Sequence, residues 1–163
     1  MIWNYIVPGV MVAVIAYFIT YRHMLGKRKE PKPVYQPVST LKGSKLENDI
    51  VDLINIERID VNRRTLSKDD KASRYAYKRL QQLKEVDTFD HRLFDKNVMI
   101  EQGYNTASEI IARGYPDAEK VVHAWMNSKS HRDTILGNYS CLGVREMKTE
   151  KKDTYSFVII FGR

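Results

Sequence analysis

The pattern of apolar and polar positions divides the chain into three stretches. Ile2 to Tyr21 runs 20 residues without a charge. As a helix it would span about 30 Å, the thickness of a bilayer's hydrocarbon core. Residues 30–45 carry Pro31, Pro33, Pro37 and Gly43 and no apolar period, which predicts an extended, semi-rigid spacer. From Leu46 the spacing becomes helical: Leu46, Ile50, Leu53, Ile54 and Val61 fall on one face. Ser67-Lys68-Asp69-Asp70 reads as a capping box opening a second helix, which would bury Ala72, Tyr75, Ala76, Leu80 and Leu83. Residues 87–117 read as polar and irregular, with turn signals at Gly103, Gly114 and Pro116. A third helix is expected near Asp117, with Val121, Val122, Trp125 and Met126 on its apolar side. Two strands close the chain, about Cys141–Met147 and Tyr155–Phe161. The run SFVIIF is continuously apolar, as in a strand covered on both faces. Helices followed by strands predict an α+β or layered α/β/α domain.

The first stretch reads as a single transmembrane helix over residues 1–21. Trp3 and Tyr5 at one end, and Tyr17 and Tyr21 at the other, suit the two interfaces. A cleaved signal peptide would have a charged start, a shorter apolar run and a small-residue cleavage site, and none is evident. Arg22, Lys27, Arg28 and Lys29 follow directly. By the positive-inside rule they place the folded domain on the cytoplasmic side, and they could also contact anionic lipid headgroups. The net charge of +7 belongs almost wholly to residues 22–45, which carry seven cations against Glu30, whereas residues 46–163 carry 20 basic and 19 acidic side chains. A nucleic-acid partner would need that charge on the folded part, so none is expected. The single cysteine, Cys141, excludes an internal disulfide and any multi-cysteine zinc site. The organisation expected is an anchor (1–21), a basic Pro-containing linker (22–45) and one domain (46–163).

The segment Trp125-Met126-Asn127-Ser128-Lys129-Ser130-His131-Arg132 resembles a signature of bacterial CAP/SCP-like domains, the superfamily of cysteine-rich secretory proteins, antigen 5 and pathogenesis-related 1. Other pieces fall in the family's order. Asn55-Ile56-Glu57-Arg58 resembles its first-helix N-x-x-R. Leu66 to Tyr77 resembles its second helix, and Phe89-Asp90-His91 the aromatic-x-His that follows. Gly103-Tyr104, Ser108-Glu109-Ile110 and Gly114 resemble its G-Y, G-E-N and G positions, with Ser108 and Ile110 in place of Gly and Asn. Leu142-Gly143-Val144 and Phe161-Gly162 resemble its two closing strands. The resemblance covers Leu46–Arg163. It implies an α/β/α sandwich of the CAP type, here behind the membrane helix. It also implies a cleft with two His and two acidic residues, where some members bind a divalent metal. His91, Glu109 and His131 match that tetrad. The fourth position is Asn127 or Ser128, neither of them acidic.

Two imidazoles and one carboxylate could hold Zn²⁺ with an open position for water, and such a water could be activated for hydrolysis. Without metal, His91 and Glu109 could act as a base and its orienting carboxylate. The same residues could equally form a polar network with only a structural role. No nucleophile stands out: Cys141 sits in an expected buried strand, and Ser128 and Ser130 lack a Gly-flanked turn. His123 is expected at the surface and Trp125 in the core. No cofactor is required by this reading. The leading expectation is a membrane-anchored, non-enzymatic binding or interaction module, with the bilayer and other proteins of an assembly as partners. One alternative is a structural protein tethering a membrane to a surrounding lattice such as a viral capsid, in a virion membrane. Another is a metal-assisted hydrolase using the His/Glu cleft.

Overall fold

The computed structural model describes residues 43–86 and 88–163. The expected membrane helix, most of the linker, and Arg22, Lys27, Arg28 and Lys29 lie outside the described residues. Among the described residues, no helix is long and apolar enough to cross a membrane.

Helix α1 covers Lys45–Asp60, so helix begins at the last residue assigned above to the linker. Ser44 caps it by accepting from the Glu47 amide at 3.1 Å. Ile50, Val51 and Ile54 are buried, as their spacing predicts. Asn55 and Arg58 are buried too, and the N-x-x-R pair they form is a stitch. The Asn55 amide bonds the Leu66 backbone in both directions, at 3.1 Å and 2.7 Å. Arg58 donates to the carbonyls of Arg64, Ile135 and Gly137, tying the end of α1 to the turn that precedes the closing strands.

Ser67 does not cap the next helix. Ser67–Lys68 form a two-residue strand, β1, parallel to the strand that begins at Cys141. Asp69 is the cap of α2 (Asp70–Glu85), accepting from the Ala72 amide at 2.8 Å. The backbone around Ser67 has a better use. The Ser67 and Asp69 amides bond the Ser140 and Leu142 carbonyls, and the next carboxylate along the chain is left to cap. A short helix, α3 (Asn97–Ile100), follows.

The stretch expected to be irregular contains a nine-residue strand, β2 (Ala107–Tyr115). Its polar residues lie at the ends and its apolar ones in the middle, so no alternation shows. Gly114, at φ 89°, makes a bulge just before its end. Helices α4 (Ala118–Asn127) and α5 (Lys129–Ile135) come next; α4 starts where expected, capped by Asp117. Strands β3 (Cys141–Lys148) and β4 (Tyr155–Gly162) end the domain close to their expected bounds.

The sheet order is β1-β3-β4-β2, antiparallel except for the β1–β3 pair. Successive side chains of a strand point to opposite faces, and both faces are apolar here. Ile110, Ala112, Phe157, Ile159 and Phe161 pack with α1 and α4, and Ile111, Val158 and Ile160 with α2. The result is the expected three-layer α/β/α arrangement. Gly143 allows it on the α2 side: a Cβ there would stand 2.1 Å from the Ser73 amide nitrogen, so helix and strand meet backbone to backbone.

Candidate functional site: a buried Arg–Glu pair beneath an open histidine

β2 is an edge strand, and the cleft residues gather beside it. Glu109 comes from β2, His91 from the loop after α2, and His131 from α5. The centre of the arrangement is a residue that the resemblance did not supply. Arg79, on α2, is completely buried, and its Nε lies 2.7 Å from Glu109 Oε2. Its Nη2 donates to Glu109 Oε1 at 3.2 Å, so the guanidinium grips both carboxylate oxygens. Arg79 also donates to the Gln82 side chain at 2.9 Å and to the Asp90 carbonyl at 3.4 Å, which fixes the base of the His91 loop.

His91 approaches Glu109 from the open side. Its Nδ1 is 3.0 Å from Glu109 Oε1, while its side chain stays 52% exposed. A neutral imidazole in this pose donates through Nδ1–H and turns its Nε2 lone pair outward. His131 is half-buried nearby. Burial chiefly, and then the charge of His91, hold its pKa below the ordinary 6.5.

The zinc set implied by the resemblance does not fit this arrangement. Among the described residues no group of three or more His, Cys, Asp or Glu is placed to hold a metal. The reason is visible at Glu109: both oxygens already accept from a fixed cation, which would also repel a second one. Asn127 and Ser128, at the position of the missing acid, are engaged elsewhere. Asn127 bonds the His123 carbonyl at 2.8 Å, and Ser128 Oγ lies 3.4 Å from Ser130 Oγ.

The other motif residues are structural. Trp125 is buried and donates its indole N–H to the Ile111 carbonyl of the edge strand at 3.2 Å. Arg132 donates to the Met126 carbonyl at 3.2 Å, pinning the last turn of α4, and His123 is exposed as expected. Cys141 is buried, and burial pushes its thiol up to about 11. It is not a thiolate at neutral pH. Arg79 itself had left a signal in the sequence. It falls on the apolar stripe of α2 between Ala76 and Leu80, where a cation must find a buried partner.

The profile of the Cysteine-rich secretory protein family matches residues 51–161. The chain is 34% identical over 122 residues to the uncharacterized protein YkwD of Bacillus subtilis, covering 71% of this chain and 48% of that one. It therefore spans about half the length of this curated relative. An outer surface protein of Borrelia burgdorferi superposes with a TM-score of 0.67 at 26% identity, over 76% of this chain and 96% of that chain. An extracellular SCP-domain protein of Bacillus anthracis gives a TM-score of 0.60 at 26% identity, over 79% of this chain and 45% of that chain.

Proposed function

The chain belongs to the cysteine-rich secretory protein (CAP) family, and from that premise we propose that it is a membrane-tethered, non-enzymatic binding module. The observation that carries this reading is the clamp of Arg79 on Glu109. It leaves an oriented imidazole at an open edge and, among the described residues, no group placed to hold a metal. Such a site can accept or donate hydrogen bonds to a bound group through the outward-facing imidazole. The tether rests on the uncharged run of residues 2–21 and the Pro-containing linker. Arg22, Lys27, Arg28 and Lys29 favour the domain on the cytoplasmic side, with those four against anionic headgroups. Two relatives are named as extracellular or outer-surface proteins. The charges belong to this chain itself and are the guide we follow.

Three measurements on the full chain test the proposal. After alkaline carbonate washing it stays in the membrane pellet, and a variant lacking residues 1–21 does not. Protease added to the cytoplasmic face of sealed vesicles digests the domain. Zinc, raised to about millimolar, binds no more tightly to the parent than to His91→Ala, because the carboxylate is already taken. Zinc-dependent ester or peptide hydrolysis that His91→Ala abolishes would replace this reading with the hydrolase one.

A further inference from the structure

A concavity opens on the α2 side of the sheet, near the C-terminal end of α2 and the β3–β4 turn, with a volume of about 460 Å³. Small-molecule sites of this size combine apolar walls with a few placed polar groups. This one has that composition. Leu83, Phe89 and Met147 give it an apolar floor. Arg113, Lys84 and Lys151 stand around it, with Glu150 the one carboxylate in the lining. Among the described residues none of these three cations forms an ion pair. The domain as a whole is almost neutral, with 20 basic and 19 acidic side chains over residues 46–163. The excess of positive charge here is therefore local to an apolar hollow.

Arg113 is held in a useful pose. Its guanidinium lies over the Phe89 ring, 4.4 Å from the centroid. A guanidinium held on an aromatic face keeps N–H groups for a planar or tetrahedral anion. The hollow is separate from the histidine cleft. Glu109 and Arg113 lie on the same face of β2 but about 13 Å apart along the strand, with buried Ile111 between them.

We propose that this hollow is a binding site for a small amphipathic organic anion, its apolar body on Leu83, Phe89 and Met147 and its carboxylate, sulfonate or phosphate on Arg113, Lys84 and Lys151. An apolar molecule alone would leave the cations unanswered, and an inorganic anion alone would leave the floor in water. The site goes beyond the cleft reading above and stands or falls without it.

The test is calorimetric titration of the full chain in nanodiscs of neutral phosphatidylcholine. Naphthalene-2-sulfonate and octanoate probe aryl and alkyl bodies. Inorganic sulfate and 2-naphthol carry only the charge or only the body. At least one organic anion binds about tenfold or more tightly than either control. Arg113→Gln weakens it about tenfold, the loss of one charge-assisted contact. Met147→Trp fills the floor and abolishes binding with every cation kept. Lys84→Gln serves as the second charge variant should Met147→Trp fail to fold by circular dichroism. Sulfate binding as tightly as both organic anions would overturn the proposal. So would folded variants that bind like the parent, no binding of either organic anion at millimolar concentration, or binding that appears only when the discs carry anionic lipid.

Discussion

Arg79 and Glu109 show what a buried ion pair demands of single residues. Neither side chain has any exposure, and each is the other's main partner. Removing one partner leaves an uncompensated charge in the interior, a loss of about 3–5 kcal/mol, whereas replacing both with neutral groups of similar size can be nearly free. Arg79→Met alone should therefore lower the urea midpoint sharply. Arg79→Met with Glu109→Gln should recover most of that loss. A double variant no more stable than the single one would mean that the guanidinium acts through its bonds to Gln82 and Asp90 instead. His91, half in solvent, contributes little to stability by the same logic. The sequence matched Glu109, His91 and His131 to a family pattern and passed over Arg79. A pattern of shared residues does not say which counter-ion a buried carboxylate has, but a lone cation on an apolar helical stripe could have said it.

At the scale of elements, packing against the sheet decided what local spacing left open. The Ser67–Asp70 stretch could start a helix at either of two places. An available edge on β3 drew Ser67 into β1 and handed the cap to Asp69. β2 escaped notice because Ile110, Ile111 and Ala112 are buried in succession, between layers on both faces. Strand β4 has the same double burial but a longer apolar run, and was legible for that reason. The closeness of α2 and β3 rests on Gly143. Gly143→Ala forces a methyl group into the α2 backbone and should cost about 1–3 kcal/mol. Thermal unfolding would show it as a clear fall in midpoint, and an unchanged midpoint would mean that helix and strand can separate freely.

At the scale of the whole molecule, His131 and Glu47 titrate in opposite senses. His131 has a folded pKa below its unfolded 6.5, from burial and the charge of His91. The unfolded chain therefore takes up the proton first. The stability this group contributes is present above pH 6.5 and is lost as pH falls below that value. Glu47 has a folded pKa above its unfolded 4.5, chiefly from burial and then from a hydrogen bond with Glu146, against the lowering pull of Arg145 and Lys68. Its contribution is complete below pH 4.5 and is lost as pH rises through the folded value. As pH falls below 6.5, His131 thus weakens the fold on acidification. His131→Gln should flatten that decline in a series of urea unfolding curves. An unaltered slope would mean that His131 is already as accessible to protons in the folded chain as in the unfolded one.

The sequence by itself determined the family, the α/β/α class, three of the helices and both closing strands. These follow from residues close together in the chain, through periodicity, capping and ordered motifs. Only the tertiary structure decided what the cleft is. Arg79 and Glu109 are 30 positions apart, with His91 in the loop between them. Whether that carboxylate faces a metal or a guanidinium depends on how α2 lies against β2. The hollow beside Arg113 is likewise the joint product of a helix end, an edge strand and a hairpin. Side chains distant in sequence share chemistry only after the layers have closed, and no local pattern carries that distance.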